Sequence, residues 1–155
     1  MPTDPKYLIL VVGPTAVGKS DLCLKLAKKF ETEILSCDSR QFYREMNLGT
    51  AKPSAEELAQ IQHHFINNLS IQESYDVRDY EEDALALLED LFQTKQVVLM
   101  TGGTGLFADV IANRGATVVC VDYSSAIDAA KLNVISVQRG NGSWESSAGP
   151  GTSVP

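Results

Sequence analysis

Gly13-Pro14-Thr15-Ala16-Val17-Gly18-Lys19-Ser20 follows the spacing G-x-x-x-x-G-K-[ST]. Residues of these types at these intervals do one thing well: they hold a diphosphate or a triphosphate. Gly13 and Gly18 let the backbone turn back on itself without a Cβ clash. Successive N–H groups then converge on an anion at a helix N-terminus. Lys19 is set to bring an ammonium to the terminal phosphates, and Ser20 to offer Mg²⁺ a hydroxyl ligand. The loop alone names no reaction, because ATPases, nucleotide kinases and other transferases share it.

Such a loop must join a strand to a helix, and the flanking sequence supplies both. Tyr7 to Val12 is a short apolar, β-rich run that reads as a buried parallel strand. A helix is expected from near Ser20, with Cys23, Leu26, Ala27 and Phe30 on its inner face. Glu33 to Cys37 reads as a second strand ending at Asp38. Ser54 and Glu57 form a capping-box pattern, which predicts a helix from Ser54 to about Gln62. Ala84, Leu87, Leu88 and Leu91 mark another helix within Val77 to Gln93. Gln96 to Met100 reads as a third strand, closed by Gly102-Gly103-Thr104-Gly105. The alternation predicts an α/β fold, a P-loop NTPase-like parallel sheet with helices on both faces.

After Gly105 the chain changes character. Leu106 to Asn113 reads as a short helix, Ala116 to Val121 as a strand ending in Asp122, Ile127 to Leu132 as a helix and Val134 to Val137 as a last strand. From Gly140 the sequence is rich in Gly, Ser and Pro and lacks periodicity, which predicts a disordered C-terminal tail. The expected organisation is a phosphate-loop domain over 1–107, a short βαβ-like extension over 108–139 and a tail over 140–155.

Bulk properties narrow the setting. A length of 155 residues suits one domain. A net charge of −7 argues against a broad, non-specific nucleic-acid surface, which calls for clustered Lys and Arg. Much of the negative charge falls between Glu73 and Asp90 and reads as a solvated helix face. The apolar run Tyr7 to Val12 is too short to cross a bilayer and does not read as a secretion signal, so no membrane contact and a cytoplasmic location are expected. Cys23, Cys37 and Cys120 are widely spaced and odd in number, and read as reduced, mostly buried thiols.

The second strand ends in Asp38-Ser39-Arg40-Gln41, and Phe42-Tyr43-Arg44-Glu45-Met46-Asn47-Leu48-Gly49-Thr50-Ala51-Lys52-Pro53 follows. With the loop Gly13 to Ser20, His63-His64, Tyr75-Asp76-Val77-Arg78-Asp79-Tyr80 and Gly102-Gly103-Thr104-Gly105-Leu106-Phe107, this closely resembles the tRNA dimethylallyltransferases (isopentenyltransferases) from about Lys6 to Phe107. The resemblance implies that Gly13–Ser20 holds the diphosphate of dimethylallyl diphosphate with Mg²⁺, Thr15 helping to line the site and Ser20 serving as metal ligand. It implies that Asp38 meets the exocyclic amine of the adenine 3′ of the anticodon, and that this amine attacks the allylic carbon as diphosphate leaves. Asp38, Ser39, Arg40, Gln41 and Thr104 would contact the tRNA anticodon stem-loop, with Thr104 at the channel where base and prenyl donor meet. The adenine must leave its stack to arrive there. A monomer is expected.

Plainer roles fit the same residues. Asp38 also suits a helix cap or an acid held one water from Mg²⁺, Arg40 a surface ion pair, and Thr104 a Gly-rich turn. His63 and His64 suit structural or surface positions and are given no chemistry.

The chain departs from the family pattern in places. Gln62 stands where the family usually has Pro, and Asn67 and Asn68 where it has an acid. Family members continue past Phe107 with a helical tRNA-binding insertion that is not recognisable here, so the prenyltransferase-like domain is expected to be incomplete. Residues 107–137 weakly resemble the start of a class I S-adenosylmethionine-dependent methyltransferase, with Gly103, Gly105 and Asp122 at dinucleotide-fold spacing. The rival readings are therefore a nucleotide or small-molecule kinase, a methyltransferase fragment, and a nucleotide-binding fragment without turnover.

Overall fold

In the computed structural model the chain is described over residues 6–12 and 18–102, and in three further strands at 117–122, 134–139 and 143–145. β1, Tyr7–Val12, is apolar throughout because it lies inside the sheet with a helix on either face. Its side chains alternate between two cores. Leu8 and Leu10 pack with Leu35, Val98 and Met100 against Tyr80, Ala84, Leu88 and Leu91. Ile9 and Val11 pack with Ile34 and Leu99 against Leu22, Cys23, Leu26 and Ala27. A period of two along each strand thus divides the core into two layers.

β1 pairs in parallel with β4 (Val97–Thr101) on one side and with β5 (Thr117–Asp122) on the other. β4 pairs with β2 (Ile34–Ser36), and β2 with β3 (His63–His64), again in parallel. The sheet order is β3-β2-β4-β1-β5-β6-β7, in which β6 (Val134–Arg139) and β7 (Ser143–Glu145) run antiparallel. The parallel sheet expected from the sequence therefore spans five strands and finishes in an antiparallel pair. β7 corrects one expectation, since it falls within the stretch after Gly140 that reads as an unstructured tail. Asn141-Gly142, just before it, is a hairpin signal that the surrounding Gly, Ser and Pro conceal. The helices expected at 106–113 and 127–132 lie outside the described residues.

α1, Lys19–Phe30, buries Leu22, Cys23, Leu24, Leu26 and Ala27, a wider stripe than the spacing suggests, while Phe30 is half-buried. It ends where Glu31 turns left-handed (φ 50°) and donates its N–H back to the carbonyls of Ala27 and Lys28. α2, Ala55–Gln60, opens on the expected capping box: Glu57 N–H donates to Ser54 Oγ (3.2 Å) and Ser54 N–H to Glu57 Oε2 (2.6 Å). It stops short of Gln62 because Ile61 turns extended to enter β3. α3, Val77–Leu91, is capped by Asp76 and Asp79 and buries Tyr80, Ala84, Leu88 and Leu91 on the opposite face of the sheet from α1. The parallel strands end on one edge, the edge at which α/β sheets bind ligands. Among the described residues no helix is long and apolar enough to cross a membrane.

Candidate active site

A cavity of about 300 Å³ opens at that edge, and Gly18, Lys19, Ser20, Asp38, Thr101 and Gly102 line it. The phosphate-loop residues Gly13, Pro14, Thr15, Ala16 and Val17 lie outside the described residues, but both ends of the loop are placed. β1 finishes at Val12, and α1 starts at Lys19 with Gly18 as its N-cap. Gly18 sits at φ 89°, a conformation costly to a residue with a side chain. The strand and helix that the motif requires are thus present on either side of it.

The lysine's charge reaches past its own turn. Burial pushes the Cys23 thiol up to about 11, against a hydrogen bond from Thr101 and the Lys19 charge, which both lower it. Burial pushes Cys37 up to about 12; the neighbouring Asp38 charge adds to this and Lys19 opposes it. The raised values disfavour the thiolate near neutral pH, in which form a cysteine acts as a nucleophile. Cys120 falls in β5, and its side chain lies outside what is described.

Asp38 forms the other wall, with its side chain 7% exposed. It caps a 3₁₀ turn at Ser39–Gln41 by accepting the Arg40 N–H on Oδ1 (3.0 Å). Its own N–H donates to Ser36 Oγ (3.3 Å), and the Cys37 N–H to the Thr101 carbonyl (2.8 Å). The end of β2 therefore lies tight against the end of β4. A Cβ on Gly102 would stand 2.7 Å from Cys37 C and Sγ and 2.8 Å from Asp38 N, so only glycine allows this approach. Beneath the turn, Tyr80 donates its hydroxyl to the Ser36 carbonyl (2.9 Å) and stacks on Phe42 at 5.2 Å; Phe65 packs edge-on against it.

The residues read as RNA contacts divide. Arg40 is exposed, with its Nε 3.7 Å from Asp38 Oδ1, and Ser39, next to Asp38 in the chain, is half-buried. Gln41 is half-buried, and its amide is engaged internally: Oε1 accepts from Ser36 Oγ (2.8 Å), and Nε2 donates to the carbonyls of Thr50 (3.0 Å) and Ala51 (3.2 Å). Thr104 lies outside the described residues. His63 lines the cavity and donates from Nδ1 to the Ile61 carbonyl (2.8 Å), while His64 Nε2 pairs with Glu33 Oε2 (2.6 Å). Both histidines form the edge strand β3.

The sequence reading assigned no role to Tyr80, Gly102 or Lys52. Lys52 Nζ donates to the Tyr43 carbonyl (2.6 Å) and to Asn47 Oδ1 (3.0 Å) and Asn67 Oδ1 (2.7 Å), pinning the loop that carries Ala51 and Pro53 into the cavity wall. Burial draws the Lys52 pKa down, partly offset by Glu45. These residues all lie inside the quoted motifs, but their spacing gives no sign of partners so far along the chain.

The family model described as IPP transferase matches residues 41–138. The chain belongs to that family. The match runs past Phe107 and takes in residues 107–137, the stretch that also resembles a methyltransferase. The tRNA dimethylallyltransferase of Flavobacterium johnsoniae is 57% identical over 106 residues, covering 68% of this chain and 34% of the relative. Among solved structures, the tRNA isopentenylpyrophosphate transferase of Bacillus halodurans superposes with a TM-score of 0.65 at 38% identity, over 70% of this chain and 36% of that one. A eukaryotic dimethylallyltransferase acting on tRNA superposes at 0.63 and 31% identity, over 68% of this chain and 26% of that one. The chain spans about a third of the length of the curated relatives it matches.

Proposed function

We propose that this chain is the phosphate-holding, acid-bearing part of a tRNA dimethylallyltransferase that works on cytoplasmic tRNA. One observation carries the reading: in a member of this family, Lys19 and Ser20 line one cavity together with a buried carboxylate, Asp38. Dimethylallyl diphosphate lies with its diphosphate on the Gly13–Ser20 loop. The adenine 3′ of the anticodon enters from the mouth beside Ser39, Arg40 and Thr104. Its exocyclic nitrogen forms a bond to the allylic carbon, the carbon–oxygen bond to diphosphate breaks, and that electron pair leaves with diphosphate. The proton released by the nitrogen passes to the Asp38 carboxylate. Lys19 and the loop amides stabilise the charge that builds on the leaving oxygens. The Ser20 hydroxyl, an oxygen donor beside the loop, suits a hard cation, and Mg²⁺ bound there would neutralise diphosphate charge.

The test is incubation with labelled dimethylallyl diphosphate, Mg²⁺ and bulk tRNA. The natural chain should label RNA, and Asp38→Ala should lower the rate by about 10²- to 10⁴-fold, the usual worth of a positioned base. Asp38→Asn keeps an acceptor for the Arg40 N–H, so the same loss in that variant separates proton transfer from capping. Equal labelling by all three removes Asp38 from the mechanism. Retained diphosphate binding without transfer by the natural chain would mean that the site needs the remaining two thirds of its relatives' length.

A further inference from the structure

We infer that Gln41 is a positioning residue that sets Asp38 and the cavity rim, and that it does not read a base. This rests on the reading of Asp38 as the group that meets the acceptor amine. The argument is one of hydrogen-bond capacity. A glutamine amide offers two donors and a carbonyl acceptor. In Gln41 the acceptor takes the Ser36 hydroxyl, and Nε2 serves two backbone carbonyls. A base that accepted from this amide would have to displace donor bonds that already hold the protein together, while Oε1 keeps one lone pair beyond the Ser36 bond.

Those bonds form a chain across the site. With its proton given to Gln41 Oε1, the Ser36 hydroxyl presents a lone pair to the Asp38 N–H. The Ser36 carbonyl takes the Tyr80 hydroxyl, so the strand end is held from both sides. On the far side, Gln41 holds the Thr50 and Ala51 carbonyls. Ala51 sits at φ 49°, a left-handed conformation that an alanine keeps only when its surroundings impose it. Ala51 and Pro53 also line the cavity. One side chain therefore holds both the carboxylate's backbone, through Oε1, and the cavity rim, through Nε2. Asx-type capping by Asp38 fixes the turn locally, but nothing within 38–41 other than Gln41 reaches residues 50 and 51.

The two halves of the amide can be separated. Gln41→Met removes both. Gln41→Glu keeps the acceptor for Ser36 Oγ and loses the donors to the rim. Lys52→Met loosens the same rim through different bonds and leaves Ser36 untouched. Amide hydrogen exchange and ¹⁵N relaxation on the full chain, without substrate, read each half. Gln41→Met should speed exchange of the Asp38 amide about tenfold, the worth of one hydrogen bond, and raise mobility over 49–53. Gln41→Glu should mobilise 49–53 with Asp38 exchange near the natural rate, as should Lys52→Met. Unchanged Asp38 exchange in Gln41→Met overturns the inference, and so does parallel loosening of both regions in Gln41→Glu, which would mark a general loss of stability.

Label transfer supplies a second readout. Positioning predicts that Gln41→Met lowers kcat and leaves the tRNA KM within about twofold; a higher KM at unchanged kcat would make Gln41 a base reader and overturn it. Full transfer by Asp38→Ala would sink the functional reading instead, and the exchange data would still decide the role of Gln41.

Discussion

At one end of the cavity, Lys19 and Ser20 are placed by their neighbours in sequence: a strand stops at Val12, a loop follows, and a helix begins at Lys19. At the other end, Asp38 owes its place to residues far along the chain. Gly102 lets β4 close on it, Tyr80 of α3 holds the Ser36 carbonyl, and Gln41 ties its turn to residues 50 and 51. A phosphate grip needs converging amides, which one short segment supplies. A single carboxylate aimed at an incoming base needs a fixed backbone on several sides. The first end can thus be altered with little effect on the fold, whereas the supports of the second are part of it.

The largest effect should come from Tyr80→Ala. Tyr80 is fully buried, stacks on Phe42, meets Phe65 and satisfies a buried carbonyl. Its removal should cost about 3–5 kcal/mol in urea unfolding, the range for large aromatic truncations. A loss under about 1 kcal/mol would show that the acid end does not depend on α3. Gly102→Ala comes next, at about 2–3 kcal/mol, because the new Cβ meets backbone atoms of Cys37 and Asp38 that cannot swing aside. The same variant should shift the Asp38 and Arg40 amide resonances. Unchanged resonances would mean that β4 can retreat instead.

The contrast between the two ends also explains what the sequence reveals. The phosphate loop is legible because its whole geometry is local, so that Gly13, Gly18, Lys19 and Ser20 announce a strand before them and a helix after. The capping box at Ser54 is local in the same sense, and its helix starts where that pattern places it. Asp38 is legible through the family resemblance, and no spacing rule points to it. The supports around it are silent in sequence, since a tyrosine 44 residues from its partner carbonyl carries no periodic signal. β3 is missed for a related reason: two half-buried histidines show no alternation, and only pairing with β2 makes them a strand. Gln41 shows the opposite limit: its place in a site motif gives no sign of the internal bonds its amide makes to Ser36, Thr50 and Ala51.

Lys19→Ala should sharpen the comparison from the other side. It removes the one ammonium that the motif sets on the phosphates. Inorganic pyrophosphate should then bind about 10- to 100-fold more weakly in calorimetric titration, the worth of a hydrogen bond to a charged group. Unfolding should change by less than about 1 kcal/mol, because the residue lies at a helix start outside both cores. A large loss of stability with unchanged pyrophosphate affinity would reverse the roles given to the two ends.

Asp76→Ala should have the smallest effect and still bears on how the acid end is built. Asp76 Oδ1 accepts the N–H groups of Arg78 (2.9 Å) and Asp79 (3.0 Å), and Asp79 Oδ2 returns a bond to the Asp76 N–H (2.9 Å). Loss of such a cap costs about 1 kcal/mol. The next residue along the helix is Tyr80, whose N–H bonds the Asp76 carbonyl and whose ring is wedged between Phe42 and Phe65. If ring packing places Tyr80, the fraying stops before it: the amides of Val77 to Asp79 exchange faster, the urea midpoint falls slightly, and the Asp38 amide is unmoved. Should the Asp38 amide loosen as well, the capped turn of α3 and not its aromatic packing would be what carries the carboxylate into the cavity.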